Sequence, residues 1–328
     1  MGLIRLVSNF ERFPGEWRAA GGTQGTSKYA GSASDFRVAA HDADLFLVNC
    51  DVDLTLRLAR ASLRNASGVV VPIVAVDLVL RRPLTLKAHL TAMAKKLLLK
   101  RVGHFINYFK DSAGYGRYFG ITPERSSWTH FKPNLRYRYE PSAAKQGTYV
   151  LCVGRSQRDY DTFFRAMAQL PYPAAIPKPD FQSLRAHGSR FSYALDSIPK
   201  NIALLDDDGS QAKLIETLEN AKLVVLPILA SSLVASGISV CLNSMLLGKC
   251  VIVSQGPGIS DMLTEDQAIQ VAPERPVALA DAIRRAWEDD ALRERTAAAG
   301  QAHALSLGGE PELYQRLLDL AVAWYTKR

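Results

Sequence analysis

Cysteine is scarce: Cys50, Cys152, Cys241 and Cys250 are the only four in 328 residues. None forms a C-x-x-C pair and each falls inside an apolar run. That excludes a disulfide framework or a zinc site and predicts buried thiols in a reducing cytoplasm. Residues 1–20 lack the basic, then apolar, then small-residue order of a secretory signal, so export is not expected. No internal repeat and no low-complexity tract is present, which excludes a repeat architecture. Between Asp77 and Asp111 there is no acidic residue at all. Long uncharged runs are also few. The longest, 26 residues from Leu223 to Gly248, would span a bilayer by count. Pro227, Ser231, Ser232, Ser236, Gly237, Ser239 and Asn243 interrupt it, so it reads as a strand, a polar loop and a helix.

What is present describes a globular α/β protein. With 48% apolar and 22% charged residues, the chain can bury a sizeable core, and its length suits about two domains. The net charge of +8 is unevenly placed: residues 1–145 carry 22 basic and 11 acidic residues, leaving 18 and 21 for residues 146–328. One domain therefore carries all of the basic excess, which suits an anionic surface such as a membrane or nucleic acid. Short Val/Ile/Leu runs alternate with amphipathic stretches, the pattern of parallel sheets with crossover helices. Strands are expected at Leu3–Ser8, Asp44–Asn49, Val69–Val76, His104–Tyr108, Tyr149–Val153, Ile202–Leu205, Leu223–Leu226, Cys250–Ser254 and Ala268–Val271. Helices are expected at 54–64, 83–101, 160–169, 211–220, 240–247, 276–289, 291–306 and 311–325. The expected division is residues 1–145, 146–310 and a final helix in 311–328, with the seam in Glu140–Gly147.

In doubly wound sheets, anions bind where strands end and helices begin, because unpaired N–H groups and the helix dipole favour negative charge there. Two such points stand out. At the first, a buried strand runs into Gly154, Arg155 and Arg158, a small residue with cations that suits a diphosphate; a plain turn with solvent-facing arginines fits as well. At the second, Ser236, Gly237 and Ser239 precede a helix that ends at Gly248. They either cap that helix or present its N–H groups to phosphate.

The order of these motifs resembles the C-terminal domain of GT-B glycosyltransferases, in particular the retaining family four. Val153-Gly154-Arg155 matches the family's strand end, and Pro199-Lys-Asn201-Ile202 is similar to its Pro-Asn strand. Ala221 to Pro227, Asn243 to Ile252 and Gly256 to Asp261 resemble its next three motifs, so the likeness covers residues 149–306. In the first domain, Gly21-Gly22 is similar in place to the glycine loop near the donor phosphates, and Tyr118 to Glu124 to the segment before the domain crossover. An ordinary loop explains Gly21-Gly22 equally well. The sequence also departs from the family. Two positions that hold glutamates there hold Ala235 and Asn243 here, and the family's His-Asp strand end is Val76-Asp77. An asparagine amide still offers a ribose both a donor and an acceptor.

The resemblance implies two Rossmann-like domains facing across a cleft, a last helix returning to the first domain, and transfer of a sugar from a nucleotide diphosphate-sugar without metal or other cofactor. It assigns Gly154, Arg155, Arg158, Ser236, Gly237, Ser239 and Asn243 to the donor, and leaves Asp51 or Asp77 as candidates for a catalytic base. A transferase-like subunit without turnover is the competing class. The motifs Asp51-Val-Asp53 and Asp206-Asp-Asp208 keep open a metal-dependent GT-A transferase, although acidic helix caps account for both. Finally, Arg81, Arg82, Lys87, Lys95, Lys96, Lys100 and Arg101 accompany an apolar stripe of Leu86, Leu90, Met93 and Leu97. Such a basic amphipathic helix suits anionic headgroups. No nucleic-acid motif accompanies it. The expectation is a cytoplasmic protein, peripheral on the inner face of the cell membrane, acting on a lipid-linked or glycan acceptor.

Overall fold

The computed structural model describes residues 3–135 and 147–328. The chain divides into two compact units, one running to His130 and completed by Pro311–Arg328, the other spanning Phe131–Glu310. Apart from Gly147, the seam expected at Glu140–Gly147 lies outside the described residues. Phe131–Leu135, expected in the first domain, belongs to the second unit instead. The backbone amides of Asn134 and Leu135 donate to Asn243 Oδ1 at 2.7 and 3.3 Å, and Leu135 is buried in that unit's core.

The first unit holds a seven-stranded sheet of β1 (Ile4–Ser8), β2 (Glu16–Arg18), β3 (Gln24–Tyr29), β4 (Leu45–Asn49), β5 (Ile73–Val76), β6 (His104–Asn107) and β7 (Ser126–Trp128). The order is β2-β3-β1-β4-β5-β6-β7, parallel throughout except for β2 against β3. Helices α1 (Ala33–Ala39), α2 (Val52–Ala61), α3 (Leu86–Leu99) and α4 (Ala113–Phe119) connect the strands. β4 and β5 are central and covered on both faces, hence their continuous apolar sequences. Gly21 and Gly22, both with φ of 83°, form the exposed tip of the β2–β3 hairpin, a conformation that costs glycine no Cβ clash.

The second unit is a six-stranded parallel sheet of β8 (Tyr149–Cys152), β9 (Ala174–Pro177), β10 (Ile202–Leu205), β11 (Ala221–Leu226), β12 (Cys250–Ser254) and β13 (Ile269–Val271). Its order, β10-β9-β8-β11-β12-β13, is that of a doubly wound nucleotide-binding sheet, with the reversal of direction between β8 and β11. Around it lie α5 (Tyr160–Met167), α6 (Phe181–Ala186), α7 (Gln211–Glu219), α8 (Ile238–Leu246), α9 (Pro276–Glu288) and α10 (Asp290–Ser306). Two apolar clusters fill the two faces, one against α5 and α9, the other against α8. Asn201, in the Pro-Asn motif, is structural: its Nδ2 donates to the carbonyls of Met167, Leu170 and Tyr172 at 3.1, 3.0 and 2.9 Å.

The last helix, α11 (Glu310–Thr326), packs in the first unit. Its Tyr314 ring lies 5.3 Å from Phe10 and 5.0 Å from Phe13, and Trp324 stacks on His104 at 5.6 Å. Asp319 accepts from the Ala20 amide at 2.7 Å. The uncharged run from Leu223 to Gly248 is β11, a loop and α8, and no helix among the described residues is long and apolar enough to cross a membrane.

Candidate functional site

The switch point of the second sheet gathers residues that the sequence assigned to the donor. β8 ends in Val153 and Gly154, and β11 ends before Pro227. The two outgoing loops are laced together, Asp159 N donating to Pro227 O at 2.9 Å and Leu229 N to Gln157 O at 3.0 Å. Arg158 is buried between them. Its Nε donates to Val153 O at 2.8 Å and its Nη1 to Ser156 O at 3.1 Å. A Cβ on Gly154 would stand 2.4 Å from Arg158 Nη2, and one on Gly237 would stand 2.8 Å from Nη1. Both glycines have positive φ, 110° and 85°, so the absence of a side chain serves the turn and the guanidinium together. Burial pulls the Arg158 pKa down; Cys152, Tyr160 and Cys241 are the charge partners that act on it, and none is a carboxylate. Arg155, three residues earlier, is exposed.

Gly237 is also the N-cap of α8, and no side chain caps this helix. By contrast α2, α5, α7 and α10 are capped by Asp51, Asp159, Ser210 and Asp289. The serines around the start of α8 are engaged elsewhere: ahead of it Ser232 Oγ donates to Ser236 Oγ at 3.0 Å, and in its first turn Ser239 Oγ accepts from Asn134 Nδ2 at 2.7 Å. The first turn of α8 therefore presents N–H groups without a side-chain acceptor, the arrangement that favours an anion. Asn243 is buried one turn on, and its Oδ1, expected to be open to a ribose, instead accepts from the Asn134 and Leu135 amides. Ala235, at the other position where the family has glutamate, is buried and apolar.

Beside Ser236 opens a cleft of about 300 Å³ at the carboxyl ends of β11, β12 and β13, lined among others by Leu229, Ser232, Gln255, Gly256 and Pro257. Sequence reading did not assign Ser232, Gln255 or Asn134 to the site. The end of β11 at Leu226 is the signal for Ser232 and the end of β12 at Ser254 that for Gln255, and Asn134 is brought in by the fold. The turn at Gly256 is closed by Asp261, whose Oδ1 accepts from Gly258 N at 2.7 Å.

The carboxylates singled out in the sequence as candidate bases, Asp51 and Asp77, belong to the first unit. Asp51 caps α2, its Oδ1 accepting from Leu54 N at 2.8 Å. Asp77 follows β5 with φ of 46°, beside Cys50, which follows β4 with φ of 54°. Cys50 Sγ and Asp77 Oδ2 are 4.0 Å apart. Burial pushes the Asp77 carboxyl up to about 7, and burial together with Asp77 and Asp51 pushes the Cys50 thiol to about 12. The turn after Asp77 is fixed by Tyr115, whose hydroxyl donates to Leu78 O and accepts from Leu80 N. Cys50 is exposed, unlike the buried Cys152, Cys241 and Cys250, which corrects the expectation of four buried thiols: it stands in the turn past the strand end, not in the strand. Gly21 and Gly22, at the hairpin tip, do not adjoin Asp77 or Cys50 in the sheet order.

The aspartate clusters have ordinary roles. Asp206 pairs with Lys178 at 2.5 Å, and Asp207 and Asp208 accept from the amides of Gly209 and Ser210. Among the described residues, no three His, Cys, Asp or Glu side chains are grouped to hold a metal ion.

Residues 198–303 match the family model described as Glycosyl transferases group 1. No curated protein matches the chain significantly. Among solved structures, Anabaena Alr3699/HepE in complex with UDP and glucose is similar at a TM-score of 0.65 and 17% identity, over 89% of this chain and 80% of that one. Sucrose-phosphate synthase from Thermosynechococcus elongatus is similar at 0.65 and 15% identity, over 99% and 89%. The UDP-forming α,α-trehalose-phosphate synthase from Burkholderia vietnamiensis is similar at 0.60 and 12% identity, over 100% of both chains. These likenesses establish the fold and set aside the GT-A alternative, while the narrower likeness to family four rests on the motifs alone. With its two doubly wound units the chain has the GT-B fold, and the match to the group 1 glycosyl transferases lies within the second of them.

Proposed function

We propose that this chain is a glycosyltransferase that takes its sugar from a nucleoside diphosphate-sugar bound at the β8/β11 switch point, and passes it, without a metal, to a lipid-linked or polysaccharide acceptor of a bacterial surface glycan on the cytoplasmic side of the membrane. One observation carries the donor half. Arg158 is a buried cation set between two glycines at the uncapped start of α8. A positive charge in a low-dielectric wall, beside oriented N–H groups, stabilises the charge that grows on a departing diphosphate. Arg155 adds a second, solvent-screened cation. The similar HepE structures were solved with UDP and with UDP-glucose, which supports a uridine donor. For the acceptor half, the support is the basic excess of the first unit. There Asp77 is the carboxylate suited to exchange a proton near neutrality, because it is not committed to capping as Asp51 is.

The experiment is a thermal-shift panel of nucleoside diphosphates and their sugars. A ligand that binds only the folded state raises Tm by mass action, about 2.7 kcal/mol at a hundred times Kd. At least one diphosphate nucleotide should do so, and transfer should survive EDTA. A panel with no shift removes the donor reading. Loss of turnover on chelation, restored by Mn²⁺ or Mg²⁺, removes the metal-free one. The apolar Ala235 keeps a second reading alive, a subunit that binds nucleotide without transfer; a donor that shifts Tm yet is neither hydrolysed nor transferred would establish it.

A further inference from the structure

Helix α3 is turned over relative to an ordinary surface helix. Leu86, Leu90, Met93 and Leu97 are spaced to share one face, and that face points outward: they are 79, 60, 63 and 66% exposed, with Leu84 ahead of them at 69%. The inward side carries Ala92 and Leu99, which are buried. Lys95 and Lys96 are half-buried, and the Lys96 stem lies along Gly120. A soluble protein seldom leaves so continuous an apolar strip in water unless something covers it.

The charges select what covers it. Arg81, Arg82, Lys87, Lys100 and Arg101 are exposed before, beside and after the strip, and no acidic residue occurs from Leu78 through Lys110. A second copy of this helix would set cations against cations. An apolar groove on a protein would take the leucines but leave the cations unanswered. An anionic lipid surface meets both demands, with headgroups at the lysines, which extend along their stems, and the acyl boundary beneath the leucines. At about 1.5 Å per residue, the helix is too short to cross a bilayer and suited to lying in its plane.

We propose that α3, with Leu84, is an interfacial helix that docks the first unit on an anionic lipid surface, its leucine face down. This deepens the acceptor half of the function proposed above, and rests on that reading only for what the docked protein acts on, since docking needs no turnover.

The test is co-sedimentation of the full chain with vesicles of phosphatidylcholine, phosphatidylglycerol and their equal mixture, at low and high salt. The expected result is strong binding to phosphatidylglycerol, little to phosphatidylcholine, and weakening as salt screens the cations. A triple variant Leu86→Ser, Leu90→Ser, Leu97→Ser and a triple variant Arg82→Gln, Lys87→Gln, Lys100→Gln should each lose tenfold or more in partitioning. Melting temperature and the nucleotide-induced thermal shift of both variants should match the parent, since these residues lie outside the donor site. Equal or salt-insensitive binding to both lipids, or variants that partition like the parent, overturns the proposal. So does a leucine variant that converts a lipid-independent dimer to a monomer, which would assign the strip to a second copy. A chain that docks but binds no nucleotide would refute the donor reading and leave the docking intact.

Discussion

At the ends of β8 and β12 the chain turns through Gly154 and Gly256, whereas at the ends of β4 and β5 it turns through Cys50 and Asp77, all four with positive φ. Glycine at such a point costs no steric strain and lets a ligand approach the backbone; a side chain there is strained and must be held by its surroundings. The charges differ in the same sense. The second unit buries a cation, Arg158, without a carboxylate acting on it, while the first unit buries much of a carboxyl, Asp77, whose shift comes from burial alone. One edge is fitted to receive negative charge, and the other to hold a proton. On the donor reading proposed above, that contrast supplies the parts for a diphosphate leaving group in a chain that has Ala235 and Asn243 at the two positions in question.

The largest expected effect lies on the first unit's side of the contrast. The Asp77 carboxyl is raised from 3.8 to about 7 in the folded state, so the folded chain keeps a proton that the unfolded chain releases. Stability should therefore fall as pH rises from about 4 to about 7 and level off above. Asn tolerates the left-handed backbone better than most residues, and Asp77→Asn should stabilise the protein at pH 8 by up to ~4 kcal/mol, with the gain vanishing toward pH 4. Urea titrations at the two pH values measure it; a pH-independent difference breaks the contrast.

Next comes Gly154→Ala, whose Cβ would lie 2.4 Å from Arg158 Nη2 at a φ of 110°. It should cost on the order of 3 kcal/mol in urea unfolding. If it is neutral, the glycine serves no packing role there. Arg158→Met should weaken nucleotide binding by roughly 1.5–3 kcal/mol in calorimetric titration, while Tm stays level or rises, because a buried cation without a carboxylate is replaced by an apolar stem. Loss of stability with unchanged affinity would make Arg158 a structural residue. The smallest effect is expected from Arg155→Ala: exposure to solvent screens its charge, and affinity should drop by no more than ~1 kcal/mol.

Much of the second sheet was legible because fully buried parallel strands are spelled in Val, Ile and Leu: Ile202–Leu205 and Cys250–Ser254 fall where their apolar runs do. Strand β9 was not, since Ala-Ala-Ile-Pro between prolines carries little β signal and is ordered by its neighbours β8 and β10. In the first sheet β3, Gln-Gly-Thr-Ser-Lys-Tyr, has almost no apolar content, and it exists by pairing with β1 and β2. Gly154, Arg158 and Gly237 were readable as a strand end and a helix start. That Arg158 is enclosed and Arg155 is not depends on the path of the β11 loop, which no local pattern encodes. Likewise Asn243 was legible as a polar residue on a buried helix, but its partners come from the distant Asn134 and Leu135. The apolar stripe of α3 was visible from spacing, while its outward direction was not.

Helix α11 places Leu313, Tyr314, Leu317, Leu318, Ala321 and Val322 in the interior of a unit whose other residues end at His130. On the ribosome the second unit is therefore fully synthesised, and free to fold, before the first has received the segment that closes its core. The earlier-made unit must wait with the faces of Phe10, Phe13 and His104 uncovered until α11 emerges, so the order of synthesis and the order of completion run in opposite directions.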